Sequence, residues 1–418
     1  MKRNYYIVAL IMLVFFVISF LTNVIGPLIP DIIKVFNLSY TLAGVLPLAF
    51  FIAYGVMSVP SAMMLDTFKE KKIMVAAFVV AFLGSLLLAM VPNYMSAIVS
   101  LFLIGCGMAM LQVVINPLLR TSGGEENYAF TAVLAQLIFG LASFLSPLVY
   151  SYMVKALKED KGNNGIISFL HSLVPANLPW ISLYWLFAVI CLAMVIILAL
   201  TKFPKVELKD DERSGSVQTY LSLFKQRIVV MFLIAMFCYV GTEQGIANWI
   251  SQFLKTYHGL DPQTVGANAV AYFWGLMTAG GVVGLFLLKV IDSRKVLIAF
   301  TLLALVCLTA AFFGSANIAL IAFPLVGFFA SVMYPIIFSL ALNSVDKEHG
   351  SLAGLMVTAI IGGAIIPPVI GLLGDAFGLR AGMFFLYITL GYILSVGFWA
   401  KPLITNKLID IKKKSVNE

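Results

Sequence analysis

Glu243 is a carboxylate in an uncharged stretch that runs from Arg227 to Lys255, and its neighbours are spaced for chemistry. An ionised carboxylate at mid-membrane costs about 2.5 kcal/mol or more, so such a group is functional by default. Gln244, Asn248 and Gln252 follow at i, i+4 spacing, which puts three amides on one helix face, with Trp249 beside them. Gln112 and Asn116 repeat that spacing upstream, as do Asn268 and Tyr272 downstream; Asn23, Gln136 and Tyr334 stand more alone. Amides carry a donor and an acceptor together, as hydroxyl groups require, and aromatic rings stack on the apolar face of a pyranose. The pattern suits a sugar. Buried amides also tie helices together without binding anything. Three of them plus a carboxylate exceed what packing needs, so the stripe is expected to face a cavity.

The elements that must position these groups are membrane spans. The 418-residue chain is 61% hydrophobic and 11% charged, against about 25% charged in an average soluble domain. Continuous apolar runs of about 20 residues recur along it, each long enough to cross a bilayer as a helix and without the alternation of a barrel strand. Twelve spans are predicted, near 5–30, 41–65, 72–91, 95–119, 129–154, 181–203, 228–254, 265–289, 295–313, 316–343, 350–374 and 381–402. The fold class is an all-α polytopic membrane protein in the lipid bilayer.

The net charge of +8 is topological and implies no nucleic-acid partner. With both termini cytoplasmic, 21 of the 27 Lys and Arg residues lie inside; only Lys34, Lys155, Lys158, Lys161, Lys255 and Arg380 lie outside. Positive residues concentrate on the cytoplasmic side, so the split predicts the orientation in a plasma (inner) membrane.

One constant offset sets Gly44 on Gly266, Ala77-Phe78 on Ala299-Phe300, Gly105 on Gly327 and Gly140 on Gly362. The expected organisation is therefore two pseudo-symmetric six-helix halves, 1–203 and 228–418, joined by a charged linker over 204–227. A parallel repeat of this kind is the arrangement of major facilitator transporters, whose substrates bind near the midplane. Between spans 2 and 3, "MMLDTFKEKKI" combines Asp66 with Lys72 and neighbouring lysines; it looks like a degraded gating loop of that superfamily. Gly26, Pro27 and Pro30 in span 1, Asn116-Pro117 in span 4 and Pro367-Pro368 in span 11 are candidate joints. Asp31 and Asp375 fall at predicted span ends, where solvation is the simplest reading.

Four cysteines inside spans (Cys106, Cys191, Cys238, Cys307) lack metal-ligand spacing, and His171, His258 and His349 lie in loops or at span ends. No phosphate-cradling glycine loop, Ser–His pair or paired carboxylate is evident, so neither an enzyme nor an ATP-driven pump is expected, and no cofactor.

"FCYVGTEQ" at 237–244, "YPIIFSLAL" at 334–342 and "TAIIGGAIIPPVIGLLGD" at 358–375 resemble motifs of the fucose–galactose–glucose:proton symporter family. "INPLL" at 115–119 and "VLAQLIFG" at 133–140 are similar to its fourth and fifth helices. The resemblance implies the major facilitator fold and uptake of a monosaccharide or close derivative. The L-fucose branch carries two membrane carboxylates in its first and fourth helices. Here the first falls on Gly26 and the second on Gln112, neither of which takes up a proton. Gln136 keeps the fifth-helix amide, while the nearby asparagine of the family is Phe139. Glu243 occupies a position where other branches also carry glutamate.

The expected function is secondary active sugar transport by alternating access, with Glu243 coupling to H+ or to Na+. Carboxylate and amide oxygens suit a hard cation, so a sodium site near Glu243 stays open. A sugar uniporter and a non-transporting membrane sensor are the alternatives, and a monomer is expected.

Overall fold

The computed structural model describes residues 4–123, 128–159, 165–203, 217–345 and 348–403. Among the described residues, twelve helices are long and apolar enough to cross a membrane. Spans 1 to 6 are Tyr5–Phe36, Tyr40–Ser58, Thr67–Met90, Tyr94–Ile115, Thr131–Lys158 and Pro179–Leu200. Spans 7 to 12 are Arg227–His258, Pro262–Val290, Ser293–Phe313, Ala316–Leu342, Ser351–Phe377 and Leu379–Trp399. Helices satisfy their own backbone groups, which a lipid environment demands.

Prolines set the breaks. Span 1 is two helices, Tyr5–Thr22 and Ile25–Phe36. Pro27 lacks an N–H and its ring opposes the carbonyl four residues back, at Asn23, so the first helix stops there. Span 10 divides the same way into Ala316–Ala330 and Met333–Leu342, with Pro335 opposing Ser331. In span 11 a 3₁₀ turn over Ala359–Ile361 separates two α segments. Spans 2 and 3 share one helical run, Tyr40–Met90, which is kinked at Lys69, where the backbone leaves the helix at φ 62° and ψ 158°.

Span 1 corrects the sequence reading. The predicted span runs to about residue 30, but the helix continues through Pro30 to Phe36 and stops at Asn37 in the left-handed region, φ 49°. Pro30 lies inside this helix and removes one backbone hydrogen bond, to Gly26, without ending it, and asparagine tolerates the left-handed stop. The extension carries Asp31 into the interior.

The chain packs as two compact units. The first comprises Met1–Leu208, Ala247–Tyr272 and Pro367–Gly382. Edge-to-face aromatic contacts link its spans 1 and 6: Phe36 to Trp180, Trp180 to Tyr184, Tyr184 to Phe187 and Phe187 to Phe20, at centroid distances of 5.6–6.3 Å. Such pairs add about 0.5–1.5 kcal/mol each beyond burial. The second comprises Lys209–Ile246, Phe273–Ile366 and Met383–Glu418. There the buried Phe312 and Phe323 meet edge-on, and the more exposed Phe384 and Tyr387 close over Phe312.

Gly105 and Gly327, which the internal offset superimposes, make the same kind of contact in their respective units. A Cβ on Gly105 would lie 2.3 Å from the Phe50 carbonyl oxygen, and one on Gly327 would lie 2.4 Å from that of Phe273. Backbones approach this closely only across glycine, as helix packing in lipid favours.

Candidate functional site

Glu243 lies within span 7, half-buried, in the second unit. Its two oxygens are held separately. Oε2 accepts a hydrogen bond from the Tyr239 hydroxyl at 2.6 Å, and Oε1 accepts one from Gln244 Nε2 at 3.1 Å. The i, i+4 spacing on one helix makes the first bond possible. Tyr239 is almost fully buried and meets the Tyr334 ring edge-on at 5.8 Å; Tyr334 stacks on Phe338 at 5.9 Å. Among the described residues no Lys or Arg forms an ion pair with Glu243. The result is a carboxyl oriented by two neutral donors, next to a half-exposed aromatic shelf.

The amide stripe divides between the units. Gln244 is buried in the second, where Gly363 of span 11 approaches its Cγ so closely that a Cβ there would sit at 3.0 Å. Asn248, Trp249 and Gln252 belong to the first unit and are also buried. Trp249 is fully enclosed: its indole N–H donates to the Pro367 carbonyl at 3.2 Å, and its ring meets Tyr40 edge-on. Gln252 donates to the Thr256 hydroxyl at 3.1 Å.

Asn23 sits at the break in span 1 and donates to Ser143 Oγ at 2.8 Å; Ser143 and Ser19 share a bond of 2.7 Å. That network ties span 1 to span 5. Asn23→Ala is expected to cost about 0.6–1.7 kcal/mol, seen as a lower melting temperature in detergent with substrate uptake retained. Lost uptake at unchanged stability would instead place Asn23 in the binding site.

Gln112 and Asn268 are half-buried, and Gln136 is exposed. Tyr272 is exposed, with its ring 6.3 Å from Phe144. The side chains of Asn116 and Asp66 lie outside the described residues. Lys72 is exposed, whereas its neighbour Lys71 donates to the carbonyls of Ala199 and Thr201 at 2.6 and 2.9 Å. A cation there satisfies the unpaired carbonyls that end span 6. A groove of about 320 Å³ on spans 2 and 4 is lined by Val45, Leu48, Ala49, Ile52, Ile98, Val99 and Phe102. It offers no hydrogen-bonding side chain and does not suit a sugar.

Two carboxylates carry more than the sequence suggested. Asp31 is buried, not solvated: it accepts from the Tyr150 hydroxyl and, at 2.7 Å, from Gln263 Nε2. Asp375 is exposed, yet it accepts from the Tyr40 N–H at 2.7 Å and the Thr41 N–H at 2.8 Å. A carboxylate on the first amides of a helix satisfies both its open donors and its dipole. These four partners come from distant parts of the chain, which no local pattern signals.

A third close approach involves Gly26, where the resemblance puts the first acid of the L-fucose branch. A Cβ there would lie 2.2 Å from the Ala247 carbonyl oxygen and 3.3 Å from Asn248 Cα. The backbone of span 7 occupies the space a carboxylate would need.

Comparison with known proteins agrees with this architecture. A glucose/galactose transporter of Brucella abortus biovar 1 (strain 9-941) is 30% identical over 404 residues, covering 95% of this chain and 94% of the relative. An L-fucose-proton symporter of Escherichia coli (strain K12) is 29% identical over 401 residues, covering 90% and 89%. The crystal structure of the transporter FucP in the outward conformation superposes with a TM-score of 0.65 at 24% identity, over 94% of this chain and 98% of that one. The Major Facilitator Superfamily profile matches residues 11–359 and 232–408. Twelve membrane-length helices, their proline breaks and these matches agree, and the chain belongs to the Major Facilitator Superfamily.

Proposed function

We propose that this protein takes up a monosaccharide or close sugar derivative by alternating access, coupled to a proton, with both termini on the cytoplasmic side. The sugar class is supported by relatives named as glucose/galactose and L-fucose transporters across nearly the whole chain. The observation that carries the coupling is Glu243: a half-buried carboxyl with two neutral hydrogen-bond donors and no cationic partner among the described residues. An unbalanced charge in such a place is costly, and a proton removes it. Tyr334 and Phe338 supply a flat apolar surface for a sugar ring beside that carboxyl. Within the first unit, Gln112, Gln136, Asn268 and Tyr272 are not fully buried. The halves 1–203 and 228–418, joined by 204–227, are the bodies that alternate in a monomer.

Uptake of labelled glucose, galactose and fucose into proteoliposomes tests this reading. A proton gradient is expected to concentrate one of them, and a protonophore to abolish the effect. Accumulation driven by sodium alone would overturn the proton assignment in favour of a cation held at Glu243. Downhill flux alone would make the protein a uniporter, and binding without flux a sensor.

A further inference from the structure

The first unit contains pieces of chain that are far apart in sequence: the ends of spans 7 and 11 and the starts of spans 8 and 12 pack with spans 1 to 6. Two carboxylates fasten them. Asp31 of span 1 holds Gln263 at the start of span 8, and Lys158 at the end of span 5 donates to the other side of the same amide. Gln263 is thus gripped through both its nitrogen and its oxygen. Asp375, near the end of span 11, holds the amides of Tyr40 and Thr41 at the start of span 2, and the Thr41 hydroxyl donates to it at 2.5 Å. All these groups lie at span ends that the charge distribution assigns to the outer face.

The backbones between the two fastenings touch without side chains. Gly26 meets Ala247; a Cβ on Gly44 would lie 2.5 Å from Pro368 Cα, and one on Gly371 would lie 2.3 Å from the Tyr40 carbonyl oxygen. Close contacts of this kind hold only while the segments stay in register, and the hydrogen bonds at both ends hold the register. Bonds to an ionised carboxylate are about twice as strong as neutral ones. They are also directional, so they are lost abruptly when the segments part.

We infer that Asp31–Gln263 and Asp375–Thr41 form a two-point outer clasp that keeps the outer side of the protein closed and is released in each transport cycle. The inference rests on the transport reading only through alternating access. Asp31 and Asp375 are therefore gating residues and need not touch the sugar.

The test is a distance measurement that requires no substrate. Spin labels at the exposed positions Val35 and Phe377, in a background lacking the four native cysteines, report the separation of the span 1 and span 11 ends. The single variants Asp31→Ala and Gln263→Ala are each expected to raise the ratio of long to short distances about tenfold or more. The double variant should shift the ratio by less than the sum of the two, since both remove the shared Asp31–Gln263 bond. Asp31→Asn keeps an acceptor for Gln263 and should shift the ratio less. A variant that melts earlier but keeps the wild-type distance distribution would show a purely structural contact and overturn the clasp. A shifted distribution in a protein that transports no sugar would leave the clasp standing and remove the sugar reading instead.

Discussion

Glu243→Gln is expected to abolish gradient-driven accumulation while sparing exchange of sugar across the membrane. Glutamine is nearly isosteric, and its side-chain oxygen still accepts from the Tyr239 hydroxyl, 2.6 Å from the carboxyl oxygen it replaces. The aromatic shelf of Tyr334 and Phe338 is untouched, so binding geometry survives. What disappears is the ability to gain and lose a proton. The internal-to-external ratio of labelled sugar at steady state should fall to about one. Counterflow, which needs no net ion movement, should stay within a few-fold of wild type, since losing one hydrogen bond in a membrane interior costs about 1 kcal/mol. Wild-type accumulation by this variant would end the coupling role of Glu243. Loss of counterflow together with accumulation would make Glu243 a sugar ligand instead.

Gly26→Ala tests the packing of the first unit. The added methyl would sit 2.2 Å from the Ala247 carbonyl oxygen and 3.1 Å from the carbonyl carbon, both backbone atoms that cannot swing aside. Overpacking of this severity costs about 1–3 kcal/mol, which is roughly a five- to 150-fold loss in population of this arrangement by the ordinary conversion of free energy to ratio. Uptake at fixed protein density should fall accordingly, while sugar binding from the outer side persists. Gly26→Asp places a carboxylate where the L-fucose branch has one, and it is expected to fail for the same steric reason without restoring a second coupling site. Wild-type uptake by Gly26→Ala would show that span 7 does not close on span 1 here during transport.

These two residues also mark how far the chain can be read without its fold. Glu243 is conspicuous because charge is rare in apolar runs and lipid makes it costly, a rule that needs only local composition. Tyr239, its hydrogen-bond donor one turn earlier, was equally available from i, i+4 spacing, but an isolated tyrosine among aromatic residues gives no signal of its own. The break at Asn23 is legible from Pro27, because proline acts on its own helix. Asn23 itself is ambiguous: its bond to Ser143 on span 5 gives it a structural task that its type alone does not reveal.

The all-α membrane class, the twelve spans and the carboxylate within span 7 are legible in the sequence. Each follows from short-range rules about apolar length, proline and charge in lipid. That Trp249, set in the amide stripe, is fully enclosed against Pro367 follows from packing between spans 7 and 11. Packing likewise sets Asp31 and Asp375, at the margins of spans, to fasten distant segments. Tyr150 and Gln263 stand 119 and 232 positions from Asp31, and Tyr40 stands 335 positions from Asp375. A hydrogen bond depends on angstrom-scale distance and direction, and those are set by how helices cross, which spacing along one helix does not encode.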